Sequence, residues 1–229
     1  MRTIEEMLKP RESVFSDTAR EDVLNLSDFA EGRVDSNKFF SENFKTQGMS
    51  MLFETAFKRF KGESDTGVIK LTQAMGGGKT HSMLALALLA SNVELREKIL
   101  GNTYSGIGDI KVVTFSGREN ADFGIWGSIA EQLGKKEMFN GYYSPLKAPG
   151  ESAWINLLKD DKILILLDEL PPYLENARAI TVGNSDLSKV TMTALSNLFS
   201  ALGKEQMANV CLVFSDLKVD CQHFFRQLF

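Results

Sequence analysis

The chain has 229 residues, 43% of them hydrophobic and 24% charged. These are ordinary proportions for a protein with a packed core, and they exclude disorder along the whole length. The 26 Lys and Arg against 30 Asp and Glu leave a formal charge of −4, which excludes a strongly basic nucleic-acid coat protein. Two cysteines, Cys211 and Cys221, and two histidines, His81 and His223, exclude a disulfide scaffold and leave no zinc-ligand spacing to write.

The start, Met1-Arg-Thr-Ile-Glu-Glu6, mixes charges and has no apolar core behind it, so it does not read as a signal peptide. Residues 1–66 read as a helical N-terminal segment. Phe39, Phe40 and Phe44 carry the spacing of one buried helical face, and Met49, Leu52, Phe53, Ala56, Phe57 and Phe60 carry a second. The polar stretch Gly62–Gly67 stops that helix.

From residue 67 to 229 the pattern changes to alternating strands and helices. Strands are expected over 67–72, 109–115, 162–167 and 209–214, and helices over 80–91, 123–133, 151–158 and 190–202, the last stopped at Gly203. Residues 135–150 and 175–188 read as loops. Such alternation specifies an α/β fold with a parallel sheet and helical crossovers. The longest apolar run, Met83–Ala90, is far shorter than the roughly 20 residues of a membrane span. A soluble, cytoplasmic protein with no membrane contact is expected.

Two motifs carry chemistry. Gly76-Gly77-Gly78-Lys79-Thr80 follows the first strand and opens a helix. Glycines let backbone N–H groups turn inward around phosphate oxygens, and a helix N-terminus adds partial positive charge. Lys79 would reach the β- and γ-phosphates and the Thr80 hydroxyl would ligate Mg²⁺. Gln73 stands where the usual pattern has a further glycine, and the alternative is a glycine turn followed by Lys-Thr by chance. The second motif is the strand Ile163–Leu167 ending in Asp168-Glu169. Asp168 would hold Mg²⁺ through water and Glu169 would act as general base on the attacking water. The alternative is a solvated acidic pair at a strand end. Both motifs fall at the carboxyl ends of parallel strands, where such sheets bind ligands.

Weaker signals surround them. Ser215-Asp216 ends the fourth strand; Ser215 either touches the γ-phosphate and lytic water or opens a turn. Ser116, after the second strand, either grips Glu169 before activation or is simply solvated. His81 reads as a first-turn helix residue beside the loop, Cys211 as core, Trp126 and Trp154 as packing residues, and Tyr142 and Tyr143 as packed loop aromatics.

Assembled, a Gly-Gly-Gly-Lys-Thr-His loop (76–81), a Leu-Asp-Glu strand end (167–169) and a fourth strand with a polar end resemble the ATPases with an additional catalytic glutamate, among them the AAA+ proteins. More narrowly, the chain resembles the bacterial domain-of-unknown-function 499 family of AAA+-like ATPases. The matching stretches are Leu8-Lys-Pro10 with Asp17, Phe39-Phe40 with Thr46-Gln-Gly48-Met49, residues 76–81, Ile125-Trp126-Gly127 with Ala130–Gly134, Ala148-Pro149-Gly150 and Leu166–Glu169.

The resemblance implies a P-loop NTPase core, AAA+-like, with a parallel sheet flanked by helices and preceded by the helical segment. It implies ATP and Mg²⁺ as cofactors, with Gly76, Gly77, Gly78, Lys79, Thr80 and His81 around the nucleotide and Gly48 and Met49 against the adenine. Thr80 and Asp168 would serve the metal; Glu169, Lys79 and Ser215 would serve catalysis. It implies ATP hydrolysis in a larger or self-associated assembly, in the setting of anti-phage defence, with any DNA link indirect. The rival is a nucleotide-gated switch or scaffold with little hydrolysis. The family usually places an aromatic soon after the Asp-Glu pair, whereas here Leu170-Pro171-Pro172 precede Tyr173. Four strands are expected where an AAA+ core has five and a lid, so the chain reads as an incomplete core, with Arg226 the one arginine after the fourth strand.

Overall fold

A computed structural model describes residues 24–72, 76–118, 122–143 and 146–215. The expectations for Leu8–Pro10, Asp17, Gln73, Asp216, Cys221, His223 and Arg226 lie outside these residues.

The centre is a four-stranded parallel sheet built from β1 (Val68–Leu71), β2 (Lys111–Ser116), β3 (Ile163–Asp168) and β6 (Val210–Ser215), in the spatial order β1-β6-β3-β2. All four lie where apolar runs predict strands. β3 and β6 are buried at every position, because each is flanked on both sides and covered on both faces.

Successive side chains of a strand enter opposite faces, and two core layers result. Ile163, Ile165, Leu167, Leu212 and Phe214 pack with Trp126, Trp154, Leu195 and Leu198. Leu164, Leu166, Cys211 and Val213 pack with Phe53, Phe57, Leu84 and Leu88. The first layer is covered by α6 (Gly124–Gln132), α7 (Glu151–Leu158), α8 (Leu170–Ala177) and α9 (Leu187–Leu202). The second is covered by α1 (Leu26–Ala30), α2 (Ser36–Glu42), α3 (Gln47–Lys61), α4 (Lys79–Ser91) and α5 (Val93–Leu100). The chain thus leaves β1 toward one face and leaves β2 and β3 toward the other. In parallel α/β sheets a divergence of this kind marks the carboxyl edge as the place where ligands bind.

Most expected helices are present, and the departures have local causes. Phe39 is buried, but Phe44 is 86% exposed. The Asn43 side chain donates to the Phe39 carbonyl at 2.8 Å and helps close α2, so the i, i+4 pattern runs past the helix that would have used it. The Pro171-Pro172 pair lies in the first turn of α8, where a missing N–H costs nothing. The loop expected over 175–188 instead holds the end of α8, a two-strand hairpin of β4 (Thr181–Val182) and β5 (Ser185–Asp186), and the start of α9. Asp186 caps α9 by accepting from the Lys189 N–H at 3.0 Å. Residues 136–142, within a second expected loop, form a 3-10 helix.

Trp126, Trp154 and Cys211 are fully buried, as expected of core residues, and burial pushes the Cys211 thiol up to about 12. Tyr142 and Tyr143 pack against the first core layer, and the Tyr143 hydroxyl donates to the Lys136 carbonyl at 2.8 Å. Among the described residues no helix is long and apolar enough to cross a membrane.

Candidate functional site at the carboxyl edge of the sheet

The glycine loop stands after β1. Gly76 and Gly78 have φ of 78° and 73°, a left-handed conformation that a side chain disfavours. Gly78 is the N-cap of α4 and supplies no side-chain acceptor to its first turn. The first N–H groups of this 13-residue helix therefore lack a side-chain cap and sit at its positive end. Lys79 is buried, 7% exposed, in that first turn, and Thr80 is half-buried.

Thr80 links the loop to the acidic strand end. Its hydroxyl donates to Asp168 Oδ2 at 2.5 Å, across 88 residues of sequence. Asp168 is buried, and its other oxygen accepts from the Ser215 hydroxyl and from the Glu169 N–H at 3.0 Å. A buried carboxylate requires such donors, because desolvation otherwise disfavours its charge. Strand register makes the cluster possible: Ser116 lies level with Asp168, and Leu71 level with Ser215.

Glu169 is held differently. It has φ 54° and ψ 37° and is the sole non-glycine with positive φ among the described residues. Such a conformation costs about 1–2 kcal/mol for a residue with a Cβ. The turn after β2 fits closely around it. The Gly117 N–H donates to the Asp168 carbonyl at 2.9 Å, and a Cβ at Gly117 would lie 1.8 Å from the Glu169 carbonyl oxygen. Only glycine fits there. Arg118 follows, its Nε 2.6 Å from Glu169 Oε2.

The site residues named from sequence divide accordingly. Thr80, Asp168, Glu169 and Ser215 form one hydrogen-bonded network, with Gly76, Gly77, Gly78 and Lys79 carried at its rim by the same turn and helix. The Ser215 hydroxyl braces the acids, accepting from the Glu169 N–H at 3.3 Å while donating to Asp168. Ser116 does not grip Glu169; Arg118, two residues further, does. His81 stacks on Phe39 with centroids 4.6 Å apart, and burial lowers its pKa. Met49 is buried in the second core layer and Gly48 is exposed at the start of α3; neither belongs to the network.

Gly117 and Arg118 were not singled out from sequence. The available signal was their position directly after a strand, the same signal that singled out Ser215.

Hydroxyl and carboxylate oxygens are the donors a hard cation such as Mg²⁺ takes. Among the described residues no three His, Cys, Asp or Glu side chains converge on one point. A cation held by Thr80 and Asp168 would therefore depend on oxygens from a ligand and from water.

No curated protein matches the chain. The family model of the DUF499 N-terminal domain matches residues 8–107 and 122–221, segments that carry the glycine loop, Thr80, Asp168, Glu169 and Ser215. The chain belongs to the DUF499 family, through that family's N-terminal domain.

Proposed function

We propose that the chain is an AAA+-like P-loop ATPase core that binds ATP with Mg²⁺ at the carboxyl edge of its sheet and hydrolyses it to ADP and phosphate. The observation that carries this reading is the Thr80–Asp168 hydrogen bond. It joins the first turn after a glycine loop to the acid at the end of a buried strand, the two places where a nucleotide-bound Mg²⁺ needs protein oxygens. Thr80 and Asp168 would hold the metal, and it would supply positive charge against the phosphates. The chain's own residues do the rest. Backbone N–H groups of 76–80 and the Lys79 ammonium bind the phosphates. Ser215 and Thr80 hold Asp168 in place. Glu169 accepts the proton of the water whose oxygen attacks the γ-phosphorus as the bond to the ADP oxygen breaks.

The family resemblance extends the reading to a cytoplasmic, self-associating or larger bacterial assembly concerned with anti-phage defence, with DNA reached through partners. A second reading, a nucleotide-gated switch with little hydrolysis, is favoured by one observation: the Glu169 carboxylate is engaged by Arg118.

The test is calorimetry with ATP and Mg²⁺. Lys79→Ala should lower affinity on the order of a hundredfold, because it removes the loop's one side-chain cation for the β- and γ-phosphates. Its circular dichroism should be that of the wild type. Unchanged affinity in folded protein overturns the ATP-binding reading, and multiple-turnover phosphate release by the wild type decides between enzyme and switch.

A further inference from the structure

The first turn of α4 carries Lys79 and Thr80, yet its own sequence does little to close it. Its N-cap is Gly78, which offers no side-chain acceptor. The Ser82 hydroxyl turns back on the Gly78 carbonyl at 2.9 Å, which serves a carbonyl and leaves the first N–H groups as they were. Helix ends without a cap fray most readily. This turn is instead held from outside, at two points. One is the Thr80 hydroxyl on Asp168. The other is the His81 ring, which lies on Phe39 with centroids 4.6 Å apart and planes 26° apart.

Phe39 belongs to α2, far earlier in the chain, and it is a fixed platform. It is buried in the second core layer with Met49, Phe53 and Met83, and its ring meets Phe40 edge-on at 5.2 Å. Both ends of α2 are closed by side chains. Asp35 accepts from the Asn37 and Lys38 N–H groups at 2.9 and 3.0 Å, and the Asn43 amide donates to the Phe39 carbonyl. A half-buried ring in an uncapped turn thus rests on a buried ring in a capped helix. The capped helix decides where the turn stands.

We propose that Phe39 is a positioning residue for nucleotide binding: through its stack on His81 it fixes the first turn of α4, so that Lys79, Thr80 and the N–H groups of that turn are arranged for a polyphosphate before it arrives. The proposal rests on the ATP-binding reading above and extends it to the N-terminal helical segment, which thereby sets the affinity of the loop. A turn ordered in advance costs less to order on binding. The His81 side chain works against protein and not against the nucleotide.

The test uses the full chain in two arms. In the first, hydrogen exchange without nucleotide is followed at the Ser82 amide, whose bond to the Gly78 carbonyl at 2.8 Å closes the turn. Phe39→Leu keeps an apolar side chain but loses the ring, and should speed Ser82 exchange several-fold while the later turns of α4 stay protected. In the second, calorimetry with ATP and Mg²⁺ compares wild type, Phe39→Leu, Phe39→Tyr and His81→Leu. Phe39→Leu should weaken binding on the order of fivefold, the worth of one stacked pair, and Phe39→Tyr should stay within twofold of wild type. In a His81→Leu background Phe39→Leu should cost no further affinity, a non-additivity that general loosening of the core does not produce. His81→Leu alone, at a half-buried position, reports the same loss should Phe39→Leu not fold. Wild-type affinity in folded Phe39→Leu or His81→Leu, or additive losses in the pair, overturns the proposal. If the wild type itself does not bind ATP, the ATP-binding reading falls and takes this role with it. Binding by the wild type with no loss in the variants sinks this role alone, so the two failures are told apart.

Discussion

The two edges of the sheet use their polar side chains in different ways. At the amino edge a buried guanidinium and a side-chain amide are consumed by the backbone. Arg59 is buried and donates to the carbonyls of Val210, Leu202 and Met207 at 3.3, 3.0 and 2.9 Å. Gly67 makes room for it, since a Cβ there would lie 3.1 Å from the guanidinium. The Asn209 amide donates to the carbonyls of Leu158, Lys159 and Asp161. Asp161 sits between Lys111 and Lys135, which hold its carboxyl below the usual carboxylate range. At the carboxyl edge side chains engage one another instead: hydroxyls on Asp168, a guanidinium on Glu169, and a left-handed glutamate between. Polar groups that close backbone bonds stabilise a fold. Polar groups that hold acids in a strained, half-open row point to chemistry.

Glu169→Gln should have the largest effect at the carboxyl edge. The amide keeps the size of the side chain but cannot take a proton from water. Turnover should fall on the order of a thousandfold, about 4 kcal/mol of barrier. Nucleotide affinity and the urea midpoint should stay within error of the wild type. Wild-type turnover by Glu169→Gln would mean that the carboxyl edge holds its base elsewhere.

The mirror experiment is at the opposite edge. Arg59→Met keeps much of the apolar stem and removes three charge-assisted bonds, leaving three buried carbonyls without that donor. Stability should drop by about 3 kcal/mol, read as a lower urea midpoint at unchanged slope. The nucleotide affinity of the folded fraction should not change. A loss of affinity at full stability would erase the distinction between the edges.

What was legible in the sequence follows the same division. The strands and the buried helices α4, α6 and α7 are written in continuous or periodic apolar residues. The acids and the glycine loop are legible because each combines an unusual residue choice with a strand end. Arg118 is not: the position after the second strand points to a grip on Glu169, but nothing local says that Arg118 and not Ser116 will supply it. Arg59 is hidden for the same reason: on α3 it reads as one more basic residue between Lys58 and Lys61, and only the tertiary fold turns it inward. α8 was obscured by its own start, since Pro171-Pro172 breaks a helix interior but suits a first turn.

The finest test of the comparison is the backbone at residue 169. In a helix or strand interior, glycine is less stable than alanine by roughly 0.5–1 kcal/mol, because it loses more freedom on folding. At φ 54° the order should invert. Glu169→Ala and Glu169→Gly both lose the Arg118 pair, an exposed contact that contributes little to stability, so their difference isolates the backbone. Alanine keeps a Cβ in the left-handed region and keeps its cost, whereas glycine removes it. Glu169→Gly should therefore be more stable than Glu169→Ala by about 1 kcal/mol, seen as a higher melting temperature, and both should be inactive. Alanine equal to or better than glycine would show that residue 169 carries no strain in solution, and the carboxyl edge would lose the feature that most sets it apart from the amino edge.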